Sequence, residues 1–209
     1  MSRQPRNALG DHVYHVLNRA NGKAQIFHTP EDYREFEYLL VEANEQFSMR
    51  VLAYTLMPNH WHLLLYPRDD SDMPEFMHWL STTHAALFRN KTHTIGEGHL
   101  YQGRYKSFVV DTDTYLLAAL KYIERNPVRA KLTKSPEEWK WGSAYRRING
   151  NKKEKALLSA SPSPLPYRYR EWINGKEKDE DITDIRSSVN RGTPFGGEEF
   201  RSRFKGRKE

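Results

Sequence analysis

The chain has no cysteine, which removes disulfides, thiolate zinc sites and cysteine nucleophiles. Any metal it holds must be held by His, Asn, Gln or carboxylates. No stretch approaches the ~20 apolar residues needed to span a bilayer. The opening MSRQPRNALGDHVYH has none of the apolar character of a secretory signal. A cytoplasmic protein with no membrane partner is therefore expected. Apolar residues are also sparse, at 37% against 29% charged, and no internal repeat is visible. A length of 209 residues then suits one compact core with an extension better than two full domains.

There is, by contrast, an excess of positive charge. Lys and Arg total 33 against 27 Asp and Glu, which favours an anionic partner without identifying it. Residues 151–209 carry 14 of those basic residues and 10 of the acidic ones, so +4 of the net +6 is peripheral.

Hydrophobic periodicity predicts the elements in order. Val13 and Val16 suggest a strand over Asp11–Asn18, closed by the turn-like Asn18-Arg19-Ala20-Asn21-Gly22. Thr29-Pro30-Glu31-Asp32 starts a helix that runs through Phe36, Leu39, Leu40 and Phe47 at helical spacing. RVLAYTLMP and HWHLLLYP read as two strands joined at Pro58-Asn59 in a hairpin. A second helix over Met73–Asn90, a polar loop THTIGEGHLYQG and a strand YKSFVVD follow. A third helix, TYLLAALKYIERNPVRA, is expected to be capped by Asp113 and stopped or kinked by Pro127. The order βαββαβα matches an α+β, ferredoxin-like antiparallel sheet with helices on one face. Residues 136–147, with Trp139, Trp141 and Tyr145, predict one more packed segment. The Ser/Pro-rich SASPSPLPYRYR then reads as a linker, giving a domain over 1–150 and an extension over 151–209.

His60-Trp61-His62 is the sharpest local feature, because side chains two apart on a strand share one face and can share one metal. Trp61, Leu63 and Leu65 have the opposite parity and would face the helices. On the third helix, Tyr122 and Asn126 are four apart and so lie side by side. Tyr115, seven before Tyr122, is the competing nucleophile. Leu116, Leu120 and Ile123 form a separate stripe for packing on the sheet. Arg19, the pair Arg104 and Lys106, and the pair Arg125 and Arg129 are candidate phosphate contacts. Tyr101, Tyr105 and Trp141 are able to stack on unpaired bases or to pack internally.

Taken together, LMPNHWHLLLYP, GHLYQGRYKSFVVD, LKYIERNPVRAKL and WKWGSAYRR, in that order, closely resemble the REP-associated tyrosine transposases of the HUH single-tyrosine superfamily. The resemblance spans about residues 10–148. It implies that His60 and His62 are the paired histidines, Tyr122 the nucleophile and Asn126 the third metal ligand, where related insertion-sequence enzymes have Gln. It also implies Mg2+ or Mn2+, a covalent 5′-phosphotyrosine, and cleavage and transfer of single-stranded DNA bearing palindromic hairpin repeats. Relatives act as a monomer or a homodimer. Arg-Gly-Thr-Pro-Phe-Gly near the end resembles an extension of longer members, and the basic terminus suits accessory DNA binding. From the residues alone, a noncatalytic nucleic-acid-binding module, a nuclease using water, and a domesticated transposase stay open.

Overall fold

The computed structural model describes residues 8–204; the start read for a signal, before Ala8, and the basic residues 205–209 lie outside it. Four strands form one antiparallel sheet: β1 (Val13–Arg19), β2 (Arg50–Met57), β3 (His60–Tyr66) and β4 (Lys106–Val110). Their order is β2-β3-β1-β4, so β3 lies between β1 and β2 as in a split βαβ unit. The connection from β1 to β2 is α1 (Pro30–Phe47), and from β3 to β4 it is α2 (Asp72–Lys91). Thr29 and Asp32 form a capping box at the start of α1, with Pro30 in its first turn, and Ser48 closes it at φ 48°.

Strand parity decides what each face covers. Tyr14, Val16, Tyr54, Leu56, Trp61, Leu63, Leu65 and Val109 share one core with Phe36, Leu40, Phe76 and Leu80 of the two crossover helices. Val13, Leu52, Leu64, Phe108 and Val110 share a second core with Leu116, Leu120 and Ile123 of α3 (Thr114–Glu124). Helices therefore lie on both faces, which corrects the expectation of a single covered face. The reason is that the second face also carries apolar side chains, among them Val13, Leu52, Leu64, Phe108 and Val110, which need their own cover.

One local expectation also changes, at Asp113, while the expected break near Pro127 is present. Asp113 precedes α3 with φ 56° and ψ −116° and makes no side-chain cap. The left-handed backbone takes its carboxylate to Ser163 instead, whose Oγ donates to Oδ1 at 3.0 Å. Pro127 lies inside a separate short helix, α4 (Asn126–Arg129), so the chain bends at Arg125 and then resumes helical backbone.

Residues 136–147 form a packed segment as predicted; it lies along β2 and leads into α5 (Ser143–Asn149). The backbone of Leu56 donates to Trp141 at 2.9 Å and the Trp139 indole donates to the Leu56 carbonyl at 2.9 Å. Beyond Gly150 come α6 (Lys152–Lys155), α7 (Tyr169–Asn174), α8 (Asp179–Arg191) and α9 (Glu198–Arg203). This segment folds back on the sheet. Leu158 bridges Val51 and Phe195 bridges Val110, both in parallel. Ile173, Ile185 and Phe195 are fully or almost fully buried.

Candidate active site

His60 and His62 point from β3 to the α3 side of the sheet, their ring centroids 5.1 Å apart. Register brings the same parity of the neighbouring strands beside them: Arg19 pairs with His60, while Leu17 and Thr55 pair with His62. Each imidazole is oriented through Nδ1. In His60, Nδ1 lies 2.6 Å from Asn59 Oδ1, and Asn59 is fixed by donating from Nδ2 to the Lys23 carbonyl at 3.2 Å. An amide oxygen only accepts, so Nδ1 carries the proton and Nε2 the lone pair. In His62, Nδ1 lies 2.8 Å from Nε2 of His15, leaving its own Nε2 for another partner.

Burial, reinforced by nearby positive charge, keeps these rings neutral. The His60 pKa is lowered to about 4 by burial and by Arg19, and that of His15 to about 3 by burial and by Arg129. The His62 pKa is pushed well below its ordinary value, first by burial and then by His15, His60, Arg129 and Arg19. Two neutral imidazoles with Nε2 available are a donor pair suited to a divalent cation. The described residues contain no group of three or more His, Cys, Asp and Glu that could hold a metal ion. Asn126, the third residue of the expected set, is half-buried at the start of α4.

Tyr122 reaches from α3 to His62 and His15. Its ring centroid is 6.4 Å from that of His62 and 6.0 Å from that of His15. The end of α3 is fixed at three successive residues. The Tyr122 carbonyl accepts from Arg129 at 2.5 Å, and the Ile123 carbonyl accepts from Thr55 Oγ1 at 2.9 Å. Glu124, its side chain wholly buried, accepts from Ser143 Oγ at 2.6 Å and also meets Arg147 and the Tyr169 hydroxyl. Tyr115, the second residue of α3, instead packs edge-on against Phe195 at 5.2 Å, so among the described residues only Tyr122 of the two candidates has a histidine ring neighbour.

The predicted cations divide into two groups. Arg19 and Lys106 are exposed on strands adjoining the histidines, with Lys106 and His62 both opposite Leu17, and Arg104 is exposed just before β4. Arg125 and Arg129 turn inward and converge on Glu177, at 3.1 and 2.6 Å. The aromatic candidates are engaged internally. Trp141 stacks on Tyr33 at 4.8 Å, and the Tyr101 hydroxyl lies between Trp61 and His84. Tyr105 is buried. Tyr101 and Tyr105 also line a separate, mainly apolar cavity of about 570 Å³ beside α2, which contains none of the histidines or tyrosines of the site. Two residues not anticipated from sequence join the site: His15 and Glu177. His15 gave no signal because its role depends on the pairing of β1 with β3. Glu177 lies some fifty residues beyond the helix it reaches, with no motif of its own.

Residues 8–126 match the family model described as IS200-like transposase. The fold is similar to that of a REP-associated tyrosine transposase solved with a REP hairpin: 16% identity over 77% of this chain and 92% of that one, with a TM-score of 0.57. A Deinococcus radiodurans R1 protein assigned as a transposase aligns at 18% identity over 64% of this chain and 94% of that one, with a TM-score of 0.42. No curated protein matches the chain.

Proposed function

The chain belongs to the IS200-like transposase family, and from that premise we propose that it cleaves and rejoins single-stranded, hairpin-forming DNA with Tyr122 as nucleophile. The observation that carries this reading is the placement of Tyr122, rather than Tyr115, beside His62, the inner member of the His60–His62 pair. The Tyr122 phenolic oxygen attacks the scissile phosphorus and loses its proton. The bond from phosphorus to the 3′ oxygen breaks, and that oxygen takes up a proton and leaves as a 3′-hydroxyl. The 5′ phosphate stays on Tyr122. Attack by a 3′-hydroxyl on that linkage restores a phosphodiester and frees the tyrosine, so bond energy is conserved and no high-energy cofactor is consumed.

His60, His62 and Asn126 would hold a divalent cation, Mg2+ or Mn2+. When bound, it would supply charge stabilisation at the phosphoryl oxygens and favour the phenolate over a phenol of ordinary pKa near 10. Asn59 and His15 orient the two imidazoles, and their depressed pKa values keep protons from competing for Nε2 near neutrality. Arg19, Arg104 and Lys106 offer cations to the DNA backbone. The partner proposed here is a palindromic repeat folded as a hairpin with adjoining single strand, and the protein is proposed to act in the cytoplasm. The similar structure bound to a REP hairpin supports that partner.

The test is incubation of labelled hairpin DNA with Mg2+, Mn2+ or EDTA, followed by a denaturing gel. A metal-dependent protein–DNA adduct that disappears in Tyr122→Phe and persists in Tyr115→Phe is expected. Binding without cleavage in every metal would favour a noncatalytic module, and cleavage without an adduct would favour attack by water.

A further inference from the structure

Lys121, Arg125 and Arg129 are spaced by four and form one cationic stripe across the break between α3 and α4. All three reach the same short segment, residues 173–177. Lys121 donates to the Lys176 carbonyl at 3.3 Å, and Arg125 Nη1 donates to the carbonyls of Ile173 and Asn174 at 2.8 and 3.0 Å. Arg125 Nε and Arg129 Nη1 both end on the Glu177 carboxylate. Arg129 has a further attachment. Its guanidinium carbon is 3.9 Å from the Tyr122 ring centroid, and its Nη2 holds the Tyr122 carbonyl.

We propose that Glu177 is a positioning residue for the nucleophile: it fixes Arg129, and Arg129 fixes the Tyr122 ring and backbone. This rests on Tyr122 being the nucleophile. The extension is thereby part of the catalytic apparatus, and Arg125 and Arg129 serve the protein's own geometry ahead of the DNA backbone.

A second reading would make Glu177 a stand-in for phosphate that DNA displaces. The surroundings favour positioning. The Glu177 side chain is 7% exposed and its two arginines 14% and 16%. The segment is also anchored independently of the carboxylate, by fully buried Ile173 and by Asn174, whose amide donates to Glu137 at 3.1 and 3.0 Å. Displacing the carboxylate would also leave Arg125 held by the Ile173 and Asn174 carbonyls, contacts that a single incoming anion does not replace.

The experiment uses the full chain and compares wild type with Glu177→Gln and Glu177→Asp. Single-turnover cleavage, hairpin affinity, thermal melting and hydrogen exchange over residues 121–130 are measured. Glu177→Gln is expected to slow cleavage about 100-fold, the scale of a misplacement near 1 Å. Its affinity should stay within about twofold of wild type, while amide exchange at residues 122–130 quickens. Glu177→Asp, which keeps the charge, should recover part of both, and it serves as the probe if the Gln variant does not fold. Wild-type cleavage in a folded Gln variant would overturn the proposal, as would faster cleavage with tighter binding. If wild type itself forms no Tyr122-dependent adduct, the functional reading fails, and exchange alone decides the positioning role: unchanged protection at 122–130 rejects it.

Discussion

A buried histidine bonded through one nitrogen must still account for the other, and in His15 that atom, Nδ1, is buried with no hydrogen-bond partner among the described residues. A polar atom left unsatisfied carries a free-energy cost, and here it sits directly behind His62. If His62 holds the proposed cation through Nε2, its Nδ1 would carry the proton and donate to His15 Nε2, and His15 would supply the acceptor that metal-bound imidazoles generally use. His15→Phe should therefore lower Mn2+ affinity about 10- to 100-fold, and His15→Gln, which restores an acceptor, should lower it less. Calorimetric titration checks this, and equal affinities in wild type and His15→Phe would reject it. His60 and His62 were legible in the sequence because a spacing of two on a strand fixes a shared face. His15 was not legible: nothing local shows that antiparallel pairing sets it diagonally beside His62.

Among the elements, α2 is tied to the sheet by a polar contact deep in the core. His84 Nδ1 is 2.6 Å from the Tyr101 hydroxyl, which accepts from the Trp61 indole at 3.0 Å. The hydroxyl therefore donates to His84, which needs a neutral ring. Burial lowers the His84 pKa to about 3 from its ordinary 6.5. The unfolded chain takes up a proton near pH 6.5 and the folded chain does not until far lower. The contribution of His84 is thus complete above pH 6.5 and is lost as pH falls toward 3, at about 1.4 kcal/mol per unit. Urea unfolding at a series of pH values should show stability falling below pH 6.5, less steeply in His84→Gln; equal slopes would discount His84. Element types were readable from periodicity, and the kink at Pro127 followed from a missing amide. The cap at Asp113 did not hold, because a distant residue, Ser163, draws its side chain away.

For the whole molecule, composition made the region beyond Gly150 look like a charged periphery. A few apolar residues in a polar stretch leave no periodic trace, yet Ile185 and Phe195 complete the core beneath α3, and Ile173 is buried as well. Removing residues 151–209 should consequently lower the melting temperature and expose apolar surface, read as dye binding and loss of solubility. A truncated chain melting like the full one would mean that this packing contributes nothing. The same bridges have a consequence in time. The sheet has two outer strands, β2 and β4, and the chain itself covers both: residues 141–142 and 158–159 along β2, and Phe195 along β4. A nascent chain emerges from the ribosome in sequence order. From the emergence of residue 110 to that of residue 195, β4 must wait with an open edge able to pair with any neighbouring strand. That hazard ends only when residue 195 arrives, so protection of β4 from other copies of the chain depends on a segment translated long after the strand itself.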